Sequence, residues 1–330
     1  MAGLQRAATA TAEWLLGVGL DPGDCELLNP LPLHHISGLM PLVRAEQWGA
    51  SLRCLPPQWL RDPALLAENA PLESERPALL SLVPTQLQRL LGDPRGLAWL
   101  RGCAVIWVGG AALPQTLAEA CRREGLPLAP CYGSTETGAM VAAQLPQAFL
   151  AGQGGCGLPL AHAELQIDPS SGALQIRGDS LAAALWSVDA WEPLPLQQGW
   201  WSSGDRARLD AGGLQLLGRL DGAIQSGGET VFPEQVELLL QQRLKEAGLP
   251  IESLLLLPEE DPLWGARLLA LVRPAAPQDW PALECSLQRL AESLPPAQRP
   301  RQWLCCEGLE RNAMGKWERQ RWRHWLQSLP

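Results

Sequence analysis

The stretch that most constrains the fold runs from residue 78 to residue 134. Short apolar runs, ALLSL and AVIWV, and the strand-like LPLAPCYG alternate there with two segments of helical period, PTQLQRLL and LPQTLAEACRREG. Apolar runs of this length, bounded by turn residues, suit strands buried on both faces. Pro84 and Thr85 open the first helix, and Gly125 stops the second. A strand, a helix and a further strand imply a crossover, and crossovers join parallel strands. The predicted class is therefore α/β, with parallel sheet layers flanked by helices. Ligands of such sheets sit beyond the C-terminal strand ends. Gly109-Gly110 and Tyr132-Gly133 both fall at such ends and are expected to line one crevice.

From about residue 160 the pattern changes to hairpins. HAELQID and ALQIRG flank the turn cluster PSSG, and RARLD and LQLLGRL flank AGG. After GRLDG it changes again: a helix from Pro233 to Gly248, strands SLLLLP and ARLLALVRP, a helix near 280–294, a strand near QWLCC and a terminal helix rich in Trp and Arg. At 330 residues the chain exceeds one small core. We therefore expect a body over residues 1–220 with a small β subdomain at about 157–220. Residues 221–330 are expected to form a separate C-terminal α+β lid.

Bulk properties exclude several classes. With 26 basic against 35 acidic residues, the net charge of −9 lacks the clustered cations that nucleic acid demands. No uninterrupted apolar run is long enough for a membrane span, and MAGLQRAATATAEWLLGVGL carries Arg6 and Glu13 where a secretory signal would be apolar. The nine cysteines form no C-x-x-C pair, and the four histidines, at 34, 35, 162 and 324, show no zinc spacing. An odd cysteine count without a secretory signal points to a reducing compartment, hence an expected cytoplasmic protein.

The chemistry concentrates in CYGSTETGAM, residues 131–140, which holds the only tyrosine. The ring of Tyr132 offers a flat face for a purine. Thr135 and nearby backbone N–H groups suit a phosphate oxygen, and Glu136 suits Mg²⁺. Such a cluster is equally an ordinary turn. Asp205, in WWSSGDRARLD, either accepts hydrogen bonds from ribose hydroxyls or caps a turn. Arg219 is either a ligand residue or a solvated charge. Gly227 and Gly228 can adopt backbone angles denied to other residues, as a ligand loop or only a joint. Lys316 follows Gly315 in a polar loop beside other basic residues, a common setting for a solvated face.

Taken in order, these strings resemble the adenylate-forming superfamily of acyl-CoA synthetases, luciferase-like enzymes and adenylation domains. The resemblance extends from PLPLHHISGL to Lys316. PLHHISGL, SLVPTQLQRLL and WVGGAALP are most similar to the 2-succinylbenzoate–CoA ligases of menaquinone and phylloquinone biosynthesis. It implies ATP, Mg²⁺ and coenzyme A as reactants, an aromatic keto acid as substrate, and two half-reactions through an acyl-adenylate. It also implies roles for named residues. Tyr132 and Gly133 would flank adenine opposite Gly109, Gly110 and Ala111. Thr135 would touch phosphate, Glu136 would hold Mg²⁺, and Asp205 and Arg219 would hold ribose. Asp221 would be the hinge, Lys316 the adenylating cation, and Gly227, Gly228 and Glu229 the pantetheine tunnel. His35 matches the working position of a ring-then-His pair, with His34 in the ring position; a core histidine is the plainer reading of either.

Succinylbenzoate carries a second carboxylate, which calls for a cation or several donors. Arg44, nine residues beyond His35, stands where some of these ligases place such an arginine; the alternative is a helix surface. Ser81 and Thr85 are further candidate donors. Gly222 replaces a second acidic hinge residue, and Glu310 stands where proline is common. The family's Ser/Thr/Gly-rich run ending Pro-Lys-Gly belongs several tens of residues before PLHH and does not occur in these 330 residues. Three readings follow: a succinylbenzoate ligase, a ligase or carrier-loading domain for another acid, and a remnant that binds acyl-AMP. A homodimer is compatible with all three.

Overall fold

The computed structural model describes all of residues 1–330 except 74, 188, 189, 221, 278, 313, 314, 329 and 330. Its first sheet uses β1 (Glu26–Asn29), β2 (Ser51–Cys54), β3 (Ala78–Leu82), β4 (Cys103–Val108), β5 (Leu128–Ser134), β6 (Ala139–Ala143) and β7 (Leu158–Pro159). They lie in the order β2-β1-β3-β4-β5-β6-β7. The first five are parallel, as the crossover argument requires, and β6 and β7 add antiparallel.

The period-two alternation of the strands sorts their side chains into two layers. Leu28, Leu80, Leu82, Ile106, Val108 and Leu128 belong to one core. The helices α3 (Pro63–Asn69), α4 (Pro84–Leu91), α5 (Pro94–Leu100) and α6 (Gln115–Arg123) contribute to it, as does Phe149 further on. Leu27, Leu79, Val105, Trp107 and Ala129 belong to the other, with Leu15 of α1 (Ala2–Gly17) and Trp48 of α2 (Ile36–Trp48). Cutting a fully buried leucine such as Leu80 to alanine would cost about 2–5 kcal/mol. One ion pair reinforces the sheet edge. The buried Glu26 of β1 takes two hydrogen bonds of 3.0 Å from the guanidinium of Arg53 on β2.

After the short α7 (Pro146–Leu150), the chain forms the hairpins expected from its turn clusters. These are β8 (Ala163–Ile167), β9 (Ala173–Gly178), β10 (Ala184–Ser187), β11 (Ala190–Pro193), β12 (Leu196–Gln197), β13 (Trp200–Asp210) and β14 (Gly213–Arg219). Five of them make a sheet in the order β12-β13-β9-β8, with β14 on β13. Val141, Leu165, Leu174, Ile176, Trp201 and Leu214 form its core.

The chain divides into two compact units. One holds Met1–Ser203 with Ala207–Leu216, and the other holds Gly204–Arg206 with Leu217–Pro330. The division falls inside β13 and β14 rather than at 220/221. The reason is local: Leu220 N–H bonds to the Gly204 carbonyl at 2.7 Å, and Arg219 N–H bonds to the Glu234 carboxylate at 2.9 Å.

The second unit has an antiparallel core of β17 (Ile251–Asp261) and β18 (Gly265–Pro274), with the hairpin β15 (Ile224–Ser226) and β16 (Glu229–Val231) on one side. β19 (Gln302–Cys305) adds parallel to β18 after the crossover helix α9 (Trp280–Ala291). Helices α8 (Pro233–Glu246) and α9 bury Val236, Leu240, Leu283 and Leu287 in a core with Leu254, Leu256 and Val272. Trp322 of α10 (Arg319–Gln327) packs with Leu255, Leu257 and Leu271 in another. Among the described residues no helix is long and apolar enough to cross a membrane.

Candidate active site

Tyr132 does not sit at a plain strand end. Strand β5 pairs in parallel with β4 only through Leu128–Pro130, and from Cys131 onward it pairs antiparallel with β6. The ligand-type residues therefore lie on a hairpin that continues past the edge of the parallel sheet. Its turn is tied internally. The Thr137 hydroxyl accepts the Ser134 N–H at 2.8 Å and donates to the Ala139 carbonyl at 2.6 Å, while Ser180 donates to the Thr137 carbonyl at 2.6 Å. Gly138 and Ala139 take φ of +66° and +93°. For alanine that region costs about 1–3 kcal/mol, which the surrounding bonds offset. A Cβ at Gly133 would stand 1.9 Å from the Ala139 oxygen, so only glycine fits. Thr135 is exposed at the turn, Glu136 is half-buried with its carbonyl bound by Ala182 N–H at 2.7 Å, and Tyr132 packs partly into the core around Val141 and Trp201.

The end of β4 lies against this hairpin. A Cβ on Gly109 would approach the Cys131 sulfur to 2.9 Å, and Gly110 has φ +79°. Gly109, Gly110 and Ala111 thus follow a strand that abuts the residue before Tyr132, the neighbourhood expected from the sequence.

Arg44 lies in the core, which removes the helix-surface reading. Its residue is 5% exposed. The guanidinium carbon sits 5.1 Å from the Trp107 ring centroid and 6.0 Å from that of Trp48, and one nitrogen lies 3.4 Å from the Thr11 hydroxyl. Its Nε has no hydrogen-bond partner, and neither do the indole nitrogens of Trp14 and Trp107 or either nitrogen of His162. Burial pushes the Arg44 guanidinium down to about 10. Burial first and the Arg44 charge second push His162 down to about 4. Ser81 is the register partner of Trp107, so it lies on the Arg44 side of the sheet, and Thr85 is in the first turn of α4. His34 and His35 are exposed in the turn before α2, with ring centroids 4.4 Å apart, so neither is a core histidine.

The remaining candidates lie in the second unit. Asp205 is in β13 with its carboxylate 3.5 Å from the Arg219 guanidinium. It is a strand residue with an ion-pair partner, not a turn cap, and Arg219 is held rather than free in solvent. Gly227 and Gly228, with φ +59° and +86°, make the two-residue turn between β15 and β16, and Glu229 follows, exposed. Both positive angles select glycine there. Lys316 is exposed; its N–H bonds to the Asn312 side chain at 3.0 Å and its carbonyl accepts Asn312 N–H at 2.9 Å. Asp221 lies outside the described residues.

Residues 3–186 match the AMP-binding enzyme family. This chain belongs to that family. It is 30% identical over 296 residues to the 2-succinylbenzoate–CoA ligase of Geobacillus kaustophilus, covering 86% of this chain and 58% of that relative. It is 29% identical over 304 residues to the indoleacetate–CoA ligase of Aromatoleum aromaticum, covering 89% and 58%. Among solved structures it is similar to o-succinylbenzoate CoA synthetase from Bacillus subtilis in complex with an acyl-adenylate intermediate. The TM-score is 0.79 at 25% identity, covering 97% of this chain and 64% of that one. The chain thus spans less than two thirds of the length of these relatives.

Two residues of the β5–β6 turn, Thr135 and Glu136, have the chemistry to share a cation with phosphate oxygens. Among the described residues, no cluster of three or more His, Cys, Asp or Glu could hold a metal alone. Mg²⁺ bound to nucleotide needs only one or two carboxylates beside the phosphates and water, and Glu136 is a half-buried carboxylate at a turn. The unpartnered nitrogens of Trp14, Trp107 and His162 leave no trace in the sequence, because apolar context does not reveal which polar atoms a core leaves without partners.

Proposed function

We propose that this AMP-binding enzyme ligates 2-succinylbenzoate to coenzyme A, in two steps. A carboxylate oxygen of the acid bonds to the α-phosphorus of ATP and pyrophosphate leaves. The CoA thiolate then attacks the acyl carbon and AMP leaves. Mg²⁺, when bound at Glu136, neutralises phosphate charge. Tyr132 and Gly133 with Gly109, Gly110 and Ala111 flank adenine, Thr135 donates to phosphate, and Asp205 and Arg219 hold ribose. Lys316 stabilises negative charge in the first step, and His35 lines the acid's reacting end. Residues 221–330 act as a lid hinged at Asp221, with Gly227–Glu229 on the pantetheine path in the second step. The free state of all nine cysteines supports a reducing, cytoplasmic setting.

The observation that carries the choice of acid is Arg44. A buried guanidinium with an unpartnered Nε, on the sheet face that Ser81 shares with Trp107, suits an acid that keeps one carboxylate bound while the other reacts. An acid such as indoleacetate has no second carboxylate to offer. The test is AMP and pyrophosphate release with succinylbenzoate, indoleacetate, benzoate and a fatty acid. A charge-assisted bond of about 1.5–3 kcal/mol favours succinylbenzoate by about 10- to 150-fold in kcat/KM. A mono-acid turned over equally well would refute the assignment. Binding of a stable acyl-adenylate analogue with no AMP from any acid would reduce the function to binding alone.

A further inference from the structure

We propose that the buried Glu237 and the half-buried Arg319 form a positioning pair that sets where Lys316 stands; the idea rests on the adenylating role given to Lys316 above. Glu237, on α8, is 4% exposed. One of its oxygens accepts the Leu256 N–H of β17 at 2.8 Å and the Arg319 guanidinium at 3.0 Å. The other arm of that guanidinium donates to the Leu256 carbonyl at 2.7 Å. Arg319 is the first residue of α10, three positions after Lys316. Its fork therefore fixes the chain leaving the lysine loop against both α8 and β17.

The chain entering the loop is fixed separately. Asn312 and Lys316 exchange two hydrogen bonds, Gly315 N–H bonds to the Asn312 carbonyl at 2.8 Å, and Gly315 has φ +70°. Arg311 donates to the Gly315 carbonyl at 3.0 Å while lying 4.4 Å from the Trp317 ring centroid. Lys316 thus lies between two anchors with its side chain exposed. An ammonium on a flexible four-carbon stem reaches a reproducible point only if its Cα is held. A second carboxylate, Glu234, stands one helical turn before Glu237 and 3.6 Å from Arg319, and it also accepts the Arg219 N–H. Buried ion pairs add little stability compared with apolar packing of the same shape. The directional fork is what this pair supplies and a leucine pair would not.

The test compares Arg319→Ala, Arg319→Lys and Glu237→Gln in the full chain. Gln keeps the shape and an acceptor for Leu256, so it guards against a variant that merely fails to fold. Adenylation is read as acid-dependent AMP formation, and thioester formation is read from supplied acyl-adenylate and CoA. A misplaced cation in Arg319→Ala should lower the adenylation kcat by about 100-fold. KM for ATP and thioester formation should stay within about threefold, and Arg319→Lys should recover part of the loss. Amide hydrogen exchange supplies a readout independent of activity. Gly315 and Lys316 should exchange faster in Arg319→Ala and Glu237→Gln, with β18 unchanged. Equal loss in both half-reactions, or unchanged exchange at Gly315 and Lys316, would overturn the proposal. A wild-type chain that forms no AMP would instead remove the role of Lys316, and exchange alone would then decide whether the pair holds the loop.

Discussion

Replacing Arg44 with methionine should make the protein more stable and its proposed acid bind worse. The arginine is 5% exposed, and burial takes its guanidinium well below its ordinary value, to about 10. At about 1.4 kcal/mol for each pH unit, the folded state is destabilised by roughly 3 kcal/mol for holding this charge. The sign follows from the lowered value of a base: the cost is complete below about pH 10 and is relieved only as pH rises from there toward the ordinary guanidinium range. Between pH 6 and 9 it is constant. Attraction to the Trp107 face, 5.1 Å away, offsets about 0.5–2 kcal/mol of it. Methionine fills the space with a flexible apolar chain, so Arg44→Met should gain about 1–2 kcal/mol at neutral pH. Urea unfolding at pH 6, 7.5 and 9 should show the same gain at each. Losing the charge-assisted contact of about 1.5–3 kcal/mol should raise KM for succinylbenzoate by about 10- to 150-fold and leave a mono-acid almost unaffected. A variant less stable than wild type, or a parallel rise in KM for both acids, would refute the reasoning.

Other predictions follow from single observations. In Gly133→Ala the new Cβ meets the Ala139 oxygen at 1.9 Å, so β5 must part from β6; urea unfolding should show a loss of about 3 kcal/mol or more. His162, held down to about 4, is neutral at pH 7 in the folded chain. As pH falls from 6.5 to about 4 the unfolded chain takes the proton first, so stability should drop by about 3 kcal/mol and then level off. His162→Gln should remove that acid limb from the urea midpoints. Lys316→Ala should cut AMP formation by orders of magnitude while thioester formation from supplied acyl-adenylate persists, as stopped assays of each half-reaction would show.

Two hairpins show where local chemistry was enough to predict structure. PSSG and AGG name their own turns, and both lie where the sequence places them. The strands ALLSL and AVIWV were legible for the same reason: burial on both faces demands apolar residues at every position. The β5 hairpin was not legible as such. Nothing within LPLAPCYGS marks the point after Pro130 where pairing turns from parallel to antiparallel, since that depends on which strand arrives alongside.

The site divides in the same way. The order of the candidates Tyr132, Thr135, Glu136, Asp205, Arg219 and Lys316 could be read along the chain, because each stands in a short string of glycine and polar residues. The burial of Arg44, its unpartnered Nε and its indole and imidazole neighbours could not. Neither could the pairing of Glu237 with Arg319, which lie 82 positions apart. Sequence alone determined the strands ALLSL and AVIWV, the helices that follow them and the PSSG and AGG turns, because those choices depend on residues within a few positions of one another. Tertiary structure decided which charges are buried and what faces them, because desolvation is set by neighbours that are distant in the chain.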